Sequence, residues 1–171
     1  MVSSARPFAV VTGASAGFGF HLARIFAQNG YDLLITAEED RIQDAERELQ
    51  STGVAIKVVK DDLTKKKEVE RLWQEIVAFG RTVDAIALNA GVGPRGSFVD
   101  ETDLDAELDM IRLNVLSTVQ LAKHAAQQMV ARGSGRILIT ASIAGTMPTP
   151  YHAVYGATKA FLLEFSLQQS C

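Results

Sequence analysis

Short apolar runs alternate along the chain with longer segments in which apolar residues recur every three or four positions. The first run, Phe8–Thr12, lies between Pro7 and Gly13. An unbroken apolar run of this length is typical of a strand that is buried on both faces of a parallel sheet. Similar runs predict further strands over residues 31–36, 54–59, 83–88 and 136–141.

The segments between these runs predict helices. The most regular of them covers residues 65–79, and the segment Asp61-Asp62-Leu63-Thr64 before it is expected to cap its first turn. Its apolar residues repeat with the spacing of one helix face: Val69, Leu72, Ile76 and Phe79. The other predicted helices cover residues 21–28, 40–51, 103–131 (with allowance for a break near its start) and 153 onward.

The alternation of strands and helices predicts a parallel sheet with right-handed crossovers and helices on both faces. The chain has 171 residues, of which 47% are apolar. That length supports one well-packed domain and is too short for two large ones. We therefore expect an α/β fold built on one doubly wound parallel sheet.

The composition argues against several classes of function. The net charge is −3 and no basic stripe stands out, so no nucleic-acid partner is expected. The single cysteine, Cys171, predicts neither a disulfide framework nor a zinc site. No run of 18 apolar residues predicts a membrane span, and residues 1–7 lack the apolar core of a secretory signal. We expect a soluble cytoplasmic protein without a metal.

The turn after the first predicted strand is rich in glycine. Gly13, Gly17 and Gly19 follow that strand in the spacing Gly-x-x-x-Gly-x-Gly, and a segment of helical composition comes next. Strand, glycine turn and helix in this order bring backbone N–H groups and a helix N-terminus to a phosphate group. An ordinary tight turn between a strand and a helix is the alternative interpretation.

Polar or glycine residues follow each predicted strand. In a doubly wound sheet, ligands bind beyond the carboxyl ends of the strands. The residues at those ends are 13–19, Glu38, Asp62, 89–91 and Ser142. We therefore predict a ligand site along this edge of the sheet.

Tyr155 and Lys159 stand four residues apart in the last predicted helix, which places both side chains on one face. A tyrosine hydroxyl has a reference pKa of about 10 and must fall by roughly three units to exchange protons near neutral pH. A lysine ammonium one turn away favours the phenolate. Such a pair also occurs by chance in helices.

Together these motifs resemble those of the short-chain dehydrogenase/reductase family. They occur in the family's order from end to end of the chain: Thr12-Gly13-x-x-x-Gly17-x-Gly19, Asp62-Leu63, Asn89-Ala90-Gly91, Leu113-Asn114-Val115, Ser142 and Tyr155-x-x-x-Lys159. The resemblance implies a single Rossmann-type dinucleotide-binding domain over residues 1–171. It also implies an NAD(P)-dependent oxidoreductase that transfers a hydride between its cofactor and an alcohol or carbonyl substrate.

The resemblance implies a role for each matched residue. Tyr155 is the general acid/base, and Ser142 hydrogen-bonds the substrate oxygen. Lys159 binds the nicotinamide ribose and lowers the pKa of Tyr155, and Asn114 holds a water that links Lys159 to solvent. The residues implied to contact the cofactor are Gly13, Ser15, Gly17, Phe18, Gly19, Asp62, Leu63, Asn89, Ala90, Gly91, Tyr155 and Lys159.

Glu38 favours NAD over NADP. It ends the second predicted strand, where an acidic side chain accepts a hydrogen bond from a ribose 2′-hydroxyl and repels a 2′-phosphate. Ala16 offers no cation for that phosphate. NADP stays open as the alternative, because Arg41 is close in sequence and could reach a 2′-phosphate, and because an ordinary surface glutamate is the alternative interpretation of Glu38.

Two departures from the family pattern are visible. Leu88 stands where the family commonly has asparagine. The family also continues past the Tyr-Lys helix with further strands and a substrate-covering loop, whereas this chain ends at Cys171. We therefore expect a truncated chain with an incomplete substrate pocket and an exposed edge at the fifth strand. A homo-oligomer is expected for a complete chain and a weakened one here.

Three hypotheses fit the sequence. The chain is an active oxidoreductase, a catalytically impaired nucleotide-binding fragment of one, or a truncated product that folds poorly or works only as a subunit.

Overall fold

The computed structural model describes residues 6–168, in which five strands form one parallel sheet. The strands are β1 (Phe8–Thr12), β2 (Asp32–Ala37), β3 (Ile56–Lys60), β4 (Ala85–Leu88) and β5 (Arg136–Ile139). Their order across the sheet is β3-β2-β1-β4-β5. The expected doubly wound α/β fold is confirmed, while Cys171 lies outside the described residues.

Six helices connect and flank the strands within the described range. They are α1 (Gly17–Gln28), α2 (Ile42–Gln50), α3 (Lys66–Ala78), α4 (Leu104–Ile111), α5 (Thr118–Arg132) and α6 (Ala153–Leu167). A π-helical segment, Arg112–Ser117, joins α4 to α5 without a break, and a short 3₁₀ turn, Ile143–Gly145, follows β5. Between residues 6 and 168, no helix combines the length and the apolar character that crossing a membrane requires.

Two local predictions are wrong. Helix α1 begins at Gly17, one turn before the predicted start at residue 21. Gly19 in this first turn packs so closely on Gly13 and Asn89 that only glycine fits there, despite its low helix propensity. The polar residues before α3 do not cap it. Instead, Asp62 accepts hydrogen bonds from the N–H and hydroxyl of Thr64 (3.0 and 2.7 Å), and the Glu68 carboxylate accepts one from the Asp62 N–H at 2.6 Å.

The core lies on both faces of the sheet. On one face, apolar residues of β1, β2 and β4 pack against α3 and α5, with Leu72, Ile76 and Leu121 fully or almost fully buried. On the other face, smaller residues of the same strands pack against α1 and α2. Helices therefore cover both faces, and the carboxyl ends of the strands meet at one edge.

Candidate functional site

A cleft of about 640 Å³ opens at the carboxyl edge of the sheet. Most of the residues singled out in the sequence line it: Gly13, Ser15, Phe18, Glu38, Asp62, Leu63, Asn89, Ala90, Gly91, Ser142, Tyr155 and Lys159. Gly17, Gly19 and Asn114 do not line the cleft. Strand ends that are distant in sequence therefore contribute to one cavity.

The glycine turn packs tightly against the end of β4. Gly13 has a φ of +66°, and a Cβ built on it would lie 2.8 Å from the Cα of Ala90. A Cβ on Gly19 would overlap the carbonyl oxygen of Gly13. Ala16, the residue before α1, provides no side-chain cap. The first N–H groups of α1 therefore receive no hydrogen-bond acceptor from the Ala16 side chain. These N–H groups lie beside the cleft.

Asn89 connects the ends of three strands. Its N–H and that of Ala90 each donate to the Thr12 hydroxyl at 3.0 Å. Its side-chain amide donates to the carbonyl oxygens of Thr12 and Gly13, both at 3.3 Å. Its side-chain oxygen accepts from the Thr140 hydroxyl at 3.0 Å. These bonds fix the ends of β1, β4 and β5 relative to one another.

Four carboxylates line one end of the cleft. Glu38 and Glu39 follow β2, and the Ser15 hydroxyl donates to Glu39 Oε2 at 3.2 Å. Asp61 and Asp62 follow β3. Within residues 6–168, no salt bridge neutralises Glu38 or Glu39. This end of the cleft is therefore acidic.

The pKa values of the two aspartates after β3 are shifted in opposite directions by their surroundings. Burial raises the pKa of Asp61 above its usual 3.8, although Arg71 opposes this rise through a hydrogen bond and its charge. Burial also acts to raise the pKa of Asp62, but hydrogen bonds from Thr64 and Lys65 outweigh it and leave that pKa below 3.8. Asp62 is therefore held as a carboxylate.

Tyr155 and Lys159 project from α6 into the cleft. The Lys159 Nζ lies 5.8 Å from the centre of the Tyr155 ring. Lys159 is only 4% exposed, and its ammonium donates to the Thr140 carbonyl oxygen at 2.8 Å. Burial lowers the pKa of Lys159 below its usual 10.5. A buried cation thus stands beside the phenol, as the spacing predicted.

Ser142 lines the same cleft. Its hydroxyl accepts a hydrogen bond from the Ala144 N–H at 3.2 Å, which starts the 3₁₀ turn after β5. Gly145 at the end of that turn packs directly on the backbone of α6 at Lys159 and Ala160. The loop that carries the serine is therefore docked on the helix that carries Tyr155.

Asn114 is completely buried in the π-helical segment and bridges two parts of the site. Its side-chain oxygen accepts from the Val92 N–H at 3.0 Å, and its amide donates to the Val92 carbonyl at 2.9 Å and the Thr158 hydroxyl at 3.0 Å. Asn114 thus ties the loop after β4 to α6. Its implied role in holding a relay water stays a prediction.

Sequence reasoning missed several residues that shape the cleft. Glu39 and Asp61 each adjoin a predicted residue, so they could have been predicted from their positions at the ends of strands. Thr140 follows β5 and offers the same signal. Gly93, which lines the cleft beside Tyr155, carries no such signal because its importance depends on long-range packing.

The family model for short chain dehydrogenases matches residues 7–170. This chain belongs to the short-chain dehydrogenase family. An uncharacterised short-chain type dehydrogenase/reductase of Sinorhizobium fredii is 36% identical over 166 residues, which cover 95% of this chain and 62% of that relative. The chain therefore spans less than two thirds of that relative's length.

Solved structures agree with this membership. The bulky-bulky ketone specific alcohol dehydrogenase from Comamonas testosteroni superposes with a TM-score of 0.90 at 30% identity, over 96% of this chain and 66% of the other. A short-chain dehydrogenase from Sphingobium yanoikuyae, solved with NADPH, gives a TM-score of 0.87 at 32% identity, over 95% of this chain and 64% of the other.

Proposed function

We propose that this short-chain dehydrogenase chain holds the cofactor site and the proton-transfer residues of an NAD(P)-dependent oxidoreductase, within one dinucleotide-binding domain over residues 1–171. The substrate class is a small-molecule alcohol or carbonyl compound. The observation that carries the proposal is that Tyr155, Lys159 and Ser142 line the same cleft as the glycine turn. A cytoplasmic location and a homo-oligomer stay predictions from the sequence.

The cleft residues fit a nicotinamide dinucleotide. The closely packed glycine turn and the first turn of α1 present backbone N–H groups that would hold the diphosphate. Asp62 and Leu63 would contact the adenine, and Asn89 to Gly91 would line the ribose path. Lys159 would hold the nicotinamide ribose. A nicotinamide bound there supplies or accepts a hydride.

The side chains of the chain itself handle the proton. The Tyr155 hydroxyl gives a proton to the substrate oxygen during reduction and takes it back during oxidation. The Ser142 hydroxyl donates a hydrogen bond to the same oxygen as negative charge develops on it. The Lys159 ammonium, 5.8 Å from the Tyr155 ring centre, stabilises negative charge on the phenol oxygen.

The acidic end of the cleft supports NAD rather than NADP. Glu38 and Glu39 lie where the adenosine ribose is expected, and Glu39 already accepts a hydrogen bond from Ser15. A 2′-phosphate there would meet carboxylates instead of cations, whereas a 2′-hydroxyl can donate to one of them. The NADPH-bound relative from Sphingobium yanoikuyae keeps NADP as the alternative cofactor.

Binding and turnover test the proposal separately. NADH and NADPH fluorescence titrations on the 171-residue chain measure cofactor affinity, and a panel of ketones and secondary alcohols measures turnover. We expect saturable NADH binding at least as tight as that of NADPH, and turnover that disappears in Tyr155→Phe. Absence of binding to both dinucleotides would contradict the proposal.

One observation favours a second candidate, a nucleotide-binding chain without turnover. The chain spans 62% of the length of its relative from Sinorhizobium fredii, and the family's substrate-covering loop is expected in the remainder. NADH binding without turnover would favour this candidate, and addition of the C-terminal segment of a relative should then restore turnover.

A further inference from the structure

Tyr155 lines two cavities. One is the main cleft, and the other is a smaller cavity of about 10 Å³. We call this second space the rear cavity, and its lining includes Glu107, Met110, His152 and Val154. The position of the ring therefore decides how far the phenol hydroxyl reaches into the cleft.

Gly93 contacts the Tyr155 ring from the cleft side. A Cβ built on Gly93 would lie 2.6 Å from Cδ2, 2.7 Å from Cε2 and 3.0 Å from Cγ of the ring. Real Cβ atoms essentially never approach another heavy atom closer than 3.0 Å. Any side chain at position 93 must therefore displace either the ring or the loop.

The loop that carries Gly93 is held at both ends, so it cannot easily yield. On one side, Asn114 bonds both backbone groups of Val92 and reaches the Thr158 hydroxyl on α6. On the other side, the Gly96 N–H donates to the Tyr151 carbonyl at 3.1 Å. Because Gly93 lies between these two anchors, the ring is the part that would move.

His152 supports the ring from the rear cavity. The two ring centres lie 5.4 Å apart with a 52° tilt. The Nδ1 of His152 is buried and has no hydrogen-bond partner within the described residues. The carboxylate on the rear-cavity wall, that of Glu107, accepts from the Thr102 hydroxyl at 2.8 Å. His152 therefore offers Tyr155 an aromatic surface rather than a hydrogen bond.

We propose that Gly93 and His152 are positioning residues that hold the Tyr155 ring between them and so aim its hydroxyl into the cleft. The catalytic consequence of this positioning rests on the proposed function, because it assumes that Tyr155 transfers the proton. The contact itself can be tested without turnover.

Gly93→Ala tests the cleft side. We expect kcat to fall by about 100-fold, because a displacement of about 1 Å has that effect on a positioned group, with the Kd for NADH unchanged. Arg95→Ala is the control in the same loop, since Arg95 lines neither cavity. A Gly93→Ala enzyme that keeps its kcat would overturn the proposal.

Fluorine NMR tests the contact independently of activity. With 3-fluorotyrosine incorporated, the three tyrosines of the chain give three signals, and the one lost in Tyr155→Phe belongs to Tyr155. We expect Gly93→Ala to shift that signal and to leave the Tyr31 signal in place. If the wild-type chain binds NADH without turnover, the second candidate function is favoured, and the contact is still tested, because an unmoved Tyr155 signal would refute it.

Two substitutions at His152 separate support from acid–base chemistry. We expect His152→Phe to keep kcat, because it retains an aromatic ring, and to melt at the same or a higher temperature, because it removes the buried Nδ1 that lacks a partner. We expect His152→Ala to lower kcat by about tenfold. Equal losses in both variants would refute the supporting role.

Discussion

Strands β1 and β5 belong to the same sheet but are covered very differently. Every residue of β1 is buried, and so is every residue of its neighbour β2, whereas β5 alternates between exposed and half-buried positions. Two causes combine: β5 lies at the edge of the sheet, and of its residues only Ile137 and Ile139 pack against the core. β1 pairs with strands on both sides, and β5 pairs only with β4 within residues 6–168.

The two regions therefore hold their functional groups by different means. On the β1 side, the glycine turn is fixed by close backbone packing against the end of β4. On the β5 side, where the sheet is less covered, side-chain bridges hold the functional groups, although the Asn89 side chain also reaches the Thr12 and Gly13 carbonyl oxygens on the β1 side. Asn89 bonds Thr140 after β5, and Asn114 connects the β4 loop to α6. Substitutions in the two regions should affect different properties.

The largest expected effect is on proton transfer by Tyr155, on the β5 side of the sheet. In an active form of the enzyme, Tyr155→Phe should lower turnover by about 10²–10⁴-fold, because it removes the ionisable hydroxyl. NADH affinity should stay within about twofold, because the glycine turn is untouched. Parallel activity assays and NADH titrations check this. A variant that keeps most of its rate would refute the assignment.

Matched leucine substitutions compare the stability of the two regions. Leu34 in β2 is fully buried, whereas Leu138 in β5 is 40% exposed. Leu34→Ala should lower the free energy of unfolding by about 2–5 kcal/mol, because it leaves a cavity in the core. Leu138→Ala should cost less than about 1 kcal/mol. Urea titrations measure both, and similar losses would show that β5 is as well packed as β2.

Asp32 makes the stability of the β1–β2 side depend on pH in the acid range. Burial acts to raise its pKa, but hydrogen bonds from the Ala55 N–H and Arg81 outweigh burial and leave the pKa below 3.8. Its contribution is therefore complete above pH 3.8 and is lost as the pH falls through the lowered value. Asp32→Asn should cost about 1.5–3 kcal/mol at neutral pH and remove this part of the acid dependence in urea titrations.

Charge reversal at the acidic end of the cleft should change cofactor preference. Glu38→Arg should shift the ratio of NADPH to NADH affinity by about tenfold towards NADPH, because it replaces repulsion of the 2′-phosphate with attraction. Glu48→Arg is the matched control, since Glu48 is exposed on α2 and does not line the cleft. Tighter NADPH binding by the wild-type chain would refute the predicted preference.

The smallest expected effect is an alkaline rise in stability on the α6 side. Burial lowers the pKa of Lys159 below 10.5, so the folded chain opposes its protonation. The free energy of unfolding should therefore increase as the pH rises through the lowered value towards 10.5. Lys159→Met should remove this rise in unfolding curves measured at several alkaline pH values, whereas a slope that is unchanged would refute it.

The sequence predicts the strands well because Pro and Gly bound the apolar runs, and the bounds of β1 match residue for residue. It predicts the start of α1 poorly, because glycine has a low helix propensity and because the close packing of Gly19 against Gly13 and Asn89 depends on contacts that are distant in sequence. It predicts most cleft residues, because they lie at strand ends. It does not predict the contact of Gly93 with Tyr155, which exists only after the β4 loop is anchored on α6.

The acidic end of the cleft also has a consequence for ionic strength. Lys65 and Arg71 offset Asp62 and Asp61, but Glu38 and Glu39 have no such partner within residues 6–168, and their charges would face the proposed dinucleotide, which is itself an anion. At low salt this repulsion extends over tens of ångströms, and at 0.1 M it is confined to about 10 Å. NADH should therefore bind this chain more tightly as moderate salt is added, which is the reverse of what a cationic cofactor site would show.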